Sequence, residues 1–403
     1  MNERISIRVA HVLSYVSSVY AGVPIATRRI GRLLRHYGVE VSFWTTGSEE
    51  DRKILEGDRI PGYVFPKAFP KGWRYSPWLG KALRESSDSF DLLHLHEIWT
   101  YPIYVSARIA RKRRKPYLIT AHGIFTQTWR YNTPKKRLYL GLIGNRMLQA
   151  AACLQALTPA EVSGFRQAGY RGPVTIVPNG INVEEFAQLP DPEAAEEAIP
   201  ELKGKRMVHY LSRLSPEKGL DQLLPAWADV TSRATYDDCI LVLSGPDHNG
   251  YRSTVEHLIE SCGLTGKVLL TGMVDGFKKK ALISRSNVYV LPSYTEGFSN
   301  SVLENLAAGK PALITSACNF PELANAGAGI CVPPEKDALA EGLRGLLDTS
   351  PEGLKEMGDR GRCLVQERYR SDIAARKLIT VYNCILRGKE IPMEPEPAPL
   401  VNN

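Results

Sequence analysis

The sequence predicts an α/β protein made of two doubly wound parallel sheets in tandem. Three observations carry this reading. Short apolar runs alternate with longer amphipathic ones, as strands joined by crossover helices require. The rhythm breaks once, near residues 189–205, and then restarts. The chain has 403 residues, which suits two or three domains rather than one.

In the first half, Ile5 to Leu13, Val39 to Trp44, Leu92 to Leu95, Tyr117 to Thr120, Leu154 to Leu157 and Val174 to Val177 read as strands. Pro24 to Tyr37 reads as a helix, because proline suits a first turn and Ile30, Leu33, Leu34 and Tyr37 recur at i, i+3, i+4 and i+7. Its opposite face carries Arg28, Arg32 and Arg35. Leu189 to Lys205 holds prolines and acids without a strand pattern, so 1–190 reads as one domain and 191–205 as a linker with a short helix in it. Val208 to Leu211, Ile240 to Leu243, Val268 to Leu270, Val288 to Leu291, Ala312 to Ile314 and Ile330 to Val332 are the strands expected in a second domain, 206–370. Ser371 to Leu386 reads as a last helix, within a segment 371–388 free to cross back to the first domain. The Pro-rich stretch 389–403 reads as a disordered tail. Ligands of such sheets bind at the carboxyl ends of the strands, and a cleft between the halves is the expected place.

Composition narrows the class. With 43% hydrophobic and 23% charged residues the chain is neither disordered nor fibrous. No apolar run is long enough for a membrane span, and Met1-Asn2-Glu3-Arg4-Ile5 lacks the pattern of a signal peptide, so a cytoplasmic location is expected. Seven scattered cysteines without zinc spacing fit reduced thiols buried as small apolar residues. Residues 1–190 carry 27 Lys and Arg against 14 Asp and Glu, while the remainder is net acidic, so the first half is expected to face something anionic.

The sharpest local signal runs from Tyr289-Val290-Leu291-Pro292-Ser293 through Glu296-Gly297-Phe298-Ser299-Asn300 to Glu304 and Ala307-Ala308-Gly309-Lys310-Pro311. A strand ends, a turn follows, and a helix begins near Ser299, whose first free N–H groups suit a phosphate. Glu296 on the turn and Glu304 in the helix are spaced to flank one ligand, and carboxylates accept hydrogen bonds from vicinal hydroxyls.

This pattern resembles the donor-site motif of retaining glycosyltransferases of family four, a group that includes glycogen synthase and phosphatidylinositol mannosyltransferase-like enzymes. Ser212-Arg213-Leu214-Ser215-Pro216-Glu217-Lys218-Gly219 resembles the family's pyrophosphate-binding segment, Gly245-Pro246-Asp247 its nucleotide-side loop, and Val177-Pro178-Asn179-Gly180-Ile181 its interdomain edge. The resemblance spans about residues 5 to 386. It implies the GT-B architecture, two Rossmann-like domains facing across a cleft. It also implies that Glu296 meets the donor sugar's hydroxyls, Glu304 the ribose, and Arg213 and Lys218 the diphosphate, with Gly297, Phe298 and Ser299 completing the donor contacts. Independently, fixed cations near a departing diphosphate stabilise its growing charge without reorganising.

In the first half, Thr120-Ala121-His122-Gly123 sets an imidazole at a strand's carboxyl end. The family's matching histidine lies over the donor sugar, so His122 is expected as a hydrogen-bonding partner of sugar or phosphate. In Leu93-His94-Leu95-His96-Glu97-Ile98-Trp99, alternation sends His94 and His96 to one face. His96 and Trp99 are candidate acceptor contacts, set against the simpler reading of buried, hydrogen-bonded histidines. Val19-Tyr20-Ala21-Gly22-Val23-Pro24 occupies the place of the family's glycine-rich loop, with Gly22 the expected donor contact and Ala21 a departure from the usual glycine pair.

Rival chemistries lack their motifs. No G-x-x-x-x-G-K-[ST] and no well-placed G-x-G-x-x-G disfavour a nucleoside triphosphatase or a dehydrogenase. No Asp-x-Asp pair is present to hold a divalent ion, so neither a metal nor a cofactor is expected. The expected activity is metal-independent, retaining transfer of a hexosyl unit from a nucleoside diphosphate sugar to a hydroxyl acceptor, in polysaccharide or glycolipid synthesis. The acceptor is a sugar, a lipid-linked sugar or another hydroxyl compound. The alternative is a nucleotide-sugar epimerase of similar build, which needs the donor alone. The basic run Arg108 to Lys115 lacks interleaved aromatics, which disfavours nucleic acid. The arginine stripe, Arg111 to Lys115 and Lys135-Lys136-Arg137 suggest peripheral contact with an anionic membrane.

Overall fold

The computed structural model describes residues 7–17, 22–126 and 133–396, so Val19 to Ala21 of the expected glycine-rich loop lie outside it. The chain forms two units: Met1–Gly180 with Ser371–Asn403, and Ile181–Arg370.

In the first unit Arg8–Leu13 (β1), Glu40–Thr46 (β2), Gly62–Phe65 (β3), Leu92–His96 (β4), Tyr117–Thr120 (β5), Cys153–Ala156 (β6) and Val174–Ile176 (β7) form one parallel sheet, ordered β3-β2-β1-β4-β5-β6-β7. β4, β5 and β6 are buried at every residue, as strands covered on both faces must be. The chain starts in the middle, builds outward to β3 and returns to lay β4 beside β1. That reversal is where such sheets open a crevice. Register sets His11 opposite His94, and His96 opposite Thr120. The helix Gly22–His36 buries Leu34, with Ile30, Leu33 and Tyr37 packed partly against the same cluster, as its spacing predicts. The helix Ser371–Leu386 adds Ala374, Ala375, Leu378, Val381 and Tyr382 to that core.

Two boundaries differ from the sequence reading. The break falls after Gly180 rather than after residue 190, and 191–205 is no linker. The helix Glu193–Ala198 and the following turn sink Ala195 and Leu202 against Met207, Ile240, Val242 and Leu282 of the second unit. The beginning of the tail is also placed: Ile176 N–H donates to the Met393 carbonyl at 2.5 Å and Thr175 Oγ1 to that of Pro392 at 3.0 Å, which covers the exposed edge of β7. Residues 397–403 lie outside the description.

The second unit repeats the plan with Arg206–Leu211 (β8), Cys239–Ser244 (β9), Val268–Gly272 (β10), Val288–Leu291 (β11), Ala312–Thr315 (β12) and Gly329–Val332 (β13). All pair in parallel in the order β10-β9-β8-β11-β12-β13, so the reversal lies between β8 and β11. Both strand orders are those of doubly wound nucleotide-binding sheets. Among the described residues no helix is long and apolar enough to cross a membrane.

Candidate functional site

The loops at the second reversal carry the donor motif. After β11 the chain turns through Glu296 into the helix Asn300–Ala307, and Ser299 caps it by accepting the Val302 N–H at 3.4 Å. The turn is pinned by its backbone: Glu296 N–H donates to the Ala317 carbonyl at 3.0 Å, and Asn319 Nδ2 to the Glu296 carbonyl at 2.8 Å. From the loop after β8, Lys218 Nζ donates to Glu296 Oε1 at 2.6 Å, and Ser293 Oγ reaches the same oxygen at 2.7 Å. The two charged side chains are only 9% and 11% exposed, where ionic contacts are far stronger than in bulk water. Gly219 permits the approach: its φ is +69°, and a Cβ there would collide with the Pro292 carbonyl. Arg213 leans toward Glu217, Nη2 to Oε1 3.4 Å. The loop after β9 is zipped to this segment by Leu214 N–H to the Pro246 carbonyl at 2.9 Å and His248 N–H to the Leu214 carbonyl at 3.1 Å.

Three details depart from the sequence reading. Lys218 is ion-paired to Glu296 rather than standing apart as a diphosphate cation, although an ammonium has three hydrogens to give. Glu304 is held by Lys279 at 2.9 Å, a residue the sequence reading missed because Lys278-Lys279-Lys280 gives no sign of which lysine faces inward. Phe298 packs against Phe320 and Tyr369, with ring centroids 6.0 and 5.6 Å away. Its ring therefore packs against the core of the second unit, a role the donor-contact reading did not include. Gly297, half-buried, leads into it.

The first reversal holds a row of histidines. His11, His94 and His96 are buried and share one face of the sheet, and His122 follows β5. His11 Nδ1 lies 3.0 Å from His96 Nε2, and His96 Nδ1 2.9 Å from His122 Nε2. His94 Nδ1 meets the Tyr382 hydroxyl at 2.7 Å and its Nε2 meets Thr120 Oγ1 at 2.6 Å. Burial pushes the rings of His11 and His122 down to about 3. Burial, then the neighbouring rings, holds His94 and His96 well below the usual histidine range. The row is therefore neutral.

Both nitrogens of His96 are taken by other histidines, which corrects its reading as an acceptor contact in favour of the simpler one. Trp99 lies tilted against Tyr139, ring centroids 5.5 Å apart, with Lys136 over its ring at 5.3 Å. Gly22 is exposed and opens the helix Gly22–His36.

His122 is set by its turn. Its φ is +56° and that of Gly123 is +79°, consecutive left-handed residues held by a buried carboxyl. Glu161 Oε1 accepts the Gly123 N–H at 2.6 Å and Oε2 the Leu157 N–H at 2.9 Å. Burial raises Glu161 to about 7, against the lowering by those two N–H groups. Among the described residues, His11, His94 and His96 form the one group that could hold a metal, with ligand atoms within 4.8 Å of one another. Those nitrogens are already engaged with each other, His122, Tyr382 and Thr120.

The arginine stripe is not a free cationic face. Arg28 and Arg32 converge on Asp58 at 3.1 and 3.0 Å, and Arg35 Nη1 reaches the Val41 carbonyl at 3.5 Å. All seven cysteines are free; Cys153, Cys239 and Cys318 are buried, but Cys363 is exposed, unlike the small buried thiol expected.

Residues 21–180 match the model of the glycosyl transferase 4-like domain, and residues 192–363 that of glycosyl transferases group 1. An uncharacterized glycosyltransferase of Methanocaldococcus jannaschii is 25% identical over 389 residues, covering 91% of this chain and 95% of that protein. The GDP-mannose-dependent alpha-(1-6)-phosphatidylinositol monomannoside mannosyltransferase of Mycobacterium tuberculosis is 30% identical over 213 residues, 50% of this chain and 54% of its own. The crystal structure of Anabaena HepE in complex with UDP and glucose superposes with a TM-score of 0.79 at 18% identity, covering 94% of this chain and 99% of that one. With two family models matched in order along most of its length and the two-sheet fold to go with them, the chain belongs to the family-four type of glycosyltransferases of GT-B fold, enzymes that transfer a sugar from a nucleotide sugar.

Proposed function

We propose that the protein transfers a hexosyl unit from a nucleoside diphosphate sugar to a hydroxyl acceptor, with retention and without a metal, in cell-surface polysaccharide or glycolipid synthesis. The observation that carries this reading is the Lys218–Glu296 pair at the carboxyl end of β11, beside a helix capped by Ser299. A diphosphate over that helix terminus receives the remaining Lys218 hydrogens and Arg213, cations in the place a metal would fill. Glu296 takes the donor sugar's hydroxyls and Glu304 the ribose, each oriented by its lysine partner. His122 accepts a hydrogen bond from a sugar hydroxyl. No carboxylate is placed as a covalent nucleophile by the motif, so the reaction runs on one face of the sugar. The glycosidic bond to the diphosphate breaks, the departing oxygen takes the acceptor's proton, and the acceptor oxygen closes the new bond. The phosphatidylinositol monomannoside in the mannosyltransferase relative's name supports a lipid-borne acceptor here. Peripheral membrane contact is supported by Leu138 and Leu142, 62% and 70% exposed beside the exposed Lys135 and Arg137.

The test is a panel of UDP-, GDP- and ADP-sugars, followed by nucleoside diphosphate release with and without membrane lipid extract, each repeated in excess EDTA. Acceptor-dependent release that persists in EDTA is the expected result. Loss that magnesium or manganese restores overturns metal independence, and an epimerised sugar from donor alone selects the epimerase. The double variant Arg213→Ala, Lys218→Ala should weaken nucleoside diphosphate binding by about 10-fold or more, since hydrogen bonds to charged groups contribute about 1.5–3 kcal/mol each. Unchanged affinity by calorimetry counts against the diphosphate role.

A further inference from the structure

The row of histidines has a direction, fixed at its inner end by one carbonyl. The Val177 C=O only accepts, so Gln155 turns its NH2 to it at 2.7 Å and its Oε1 to Thr120. Thr120 then gives its single hydroxyl proton to Gln155 Oε1 at 2.7 Å and accepts from His94 Nε2. A neutral His94 presents a bare Nδ1, which the Tyr382 hydroxyl fills. Its proton thus committed, the Tyr382 oxygen accepts from His11 Nε2 at 3.5 Å, the longest link. His11 Nδ1 accepts from His96 Nε2, and His96 Nδ1 from His122 Nε2. The outer end is a lone pair: His122 Nδ1 is buried and, among the described residues, meets no partner. His122 lines a small pocket with Thr27, Ile30, Asn179 and Gly180.

We infer that Gln155, Thr120, His94, Tyr382, His11 and His96 act together as positioning residues that lock His122 in its Nε2–H tautomer, so that Nδ1 meets its ligand only as an acceptor. The group it takes is one that donates, a hydroxyl where the ligand is a sugar; a phosphate or carboxylate oxygen would set lone pair against lone pair. Reversing the row would turn the Gln155 oxygen onto the Val177 carbonyl, which has no proton to offer. The tautomer depends on the buried row alone, whereas the identity of the hydroxyl as a sugar's rests on the function proposed above.

The experiment is long-range proton–nitrogen correlation on the full-length protein labelled with 15N-histidine, the His122 signals being assigned by their loss in His122→Asn. Ligand-free wild type should show His11, His94, His96 and His122 each with a protonated Nε2 and a bare Nδ1. In Tyr382→Phe the middle link is gone: His94 should keep its pattern, while His11, His96 and His122 gain a second set with Nδ1 protonated. In Gln155→Leu all four should gain it. A protonated Nδ1 on His122 in the wild type, or a single tautomer retained in every folded variant, overturns the inference. The wild-type spectrum stands by itself if a variant fails to fold. On adding the sugar nucleotide found active in the release assay, the His122 Nδ1 signal should move while those of His11, His94 and His96 hold. A still signal overturns the hydroxyl assignment. A wild-type spectrum as described from a protein that releases no nucleoside diphosphate sinks the transferase reading and leaves the locked tautomer standing.

Discussion

Replacing Glu296 by glutamine should lower sugar transfer by about 100-fold or more while the fold survives, the loss expected for one preorganised contact at a reacting centre. The amide keeps an oxygen that Lys218 and Ser293 can reach, at 2.6 and 2.7 Å in the native side chain. It removes the charge that offsets a nearly buried ammonium. Breaking such a pair from one side typically costs about 3–5 kcal/mol, so the melting temperature of the second unit should fall as well. Steady-state transfer, read beside circular dichroism, checks both. Turnover near that of the wild type would sink the assignment. Adding Lys218→Met separates the causes: stability should return because no unpaired charge remains, and activity should not.

Mild acid should unfold the first unit before the second. His11 and His122 sit at about 3 and His94 and His96 well below 6.5, against about 6.5 in an unfolded chain. The folded-state values are depressed, so below pH 6.5 the unfolded chain binds protons that the folded one refuses. The stability these rings contribute is full above 6.5 and is lost as pH falls from there toward 3. Each histidine contributes a slope of about 1.4 kcal/mol per pH unit, against a typical total stability of about 5–15 kcal/mol. Glu161 works in the opposite sense. Raised to about 7, it gains a proton on folding between its unfolded value near 4.5 and 7, and so offsets roughly one ring. The second unit has one comparable buried histidine, His209, at about 3. Hydrogen exchange resolved by segment should therefore show residues 7–180 and 371–396 opening first as pH is lowered from 7 to about 4. A second unit that melts first would show that the histidine row does not govern acid stability.

Local signals in the sequence went far where one segment decides the outcome. Ser371–Leu386 is a helix with the bounds its pattern suggested, and the turn from β11 into the helix at Asn300 follows from strand, turn residues and cap. β3 escaped notice because Gly62–Phe65 is only four residues long, an edge strand set between Pro61 and Pro66, with Tyr63 48% exposed. The supposed linker misled because prolines and acids surround the few residues, Ala195 and Leu202, that are buried. The side-chain partners were harder to read. Alternation placed His94 and His96 on one face, but His11 is 85 residues from His96, and Tyr382 is 288 from His94. Nothing local announces such pairs. For the same reason Lys279 and Glu161 were invisible: each acts on a residue its own segment does not contain.

The first unit is closed by Ser371–Leu386, the last helix among the described residues, and this orders events during synthesis. The sheet from β1 to β7 is complete by Ile176, yet Tyr382 must pair with groups 288 and 371 residues upstream before the histidine face is covered. Ribosomes add about 5–20 residues per second, so that face stays open for on the order of ten seconds or more. Meanwhile Ile181–Arg370, one uninterrupted stretch, has everything its own sheet needs. The unit that begins first therefore finishes last, and a nascent chain halted before residue 371 presents to chaperones an apolar sheet face on which His94 Nδ1 and His11 Nε2 lack the Tyr382 hydroxyl.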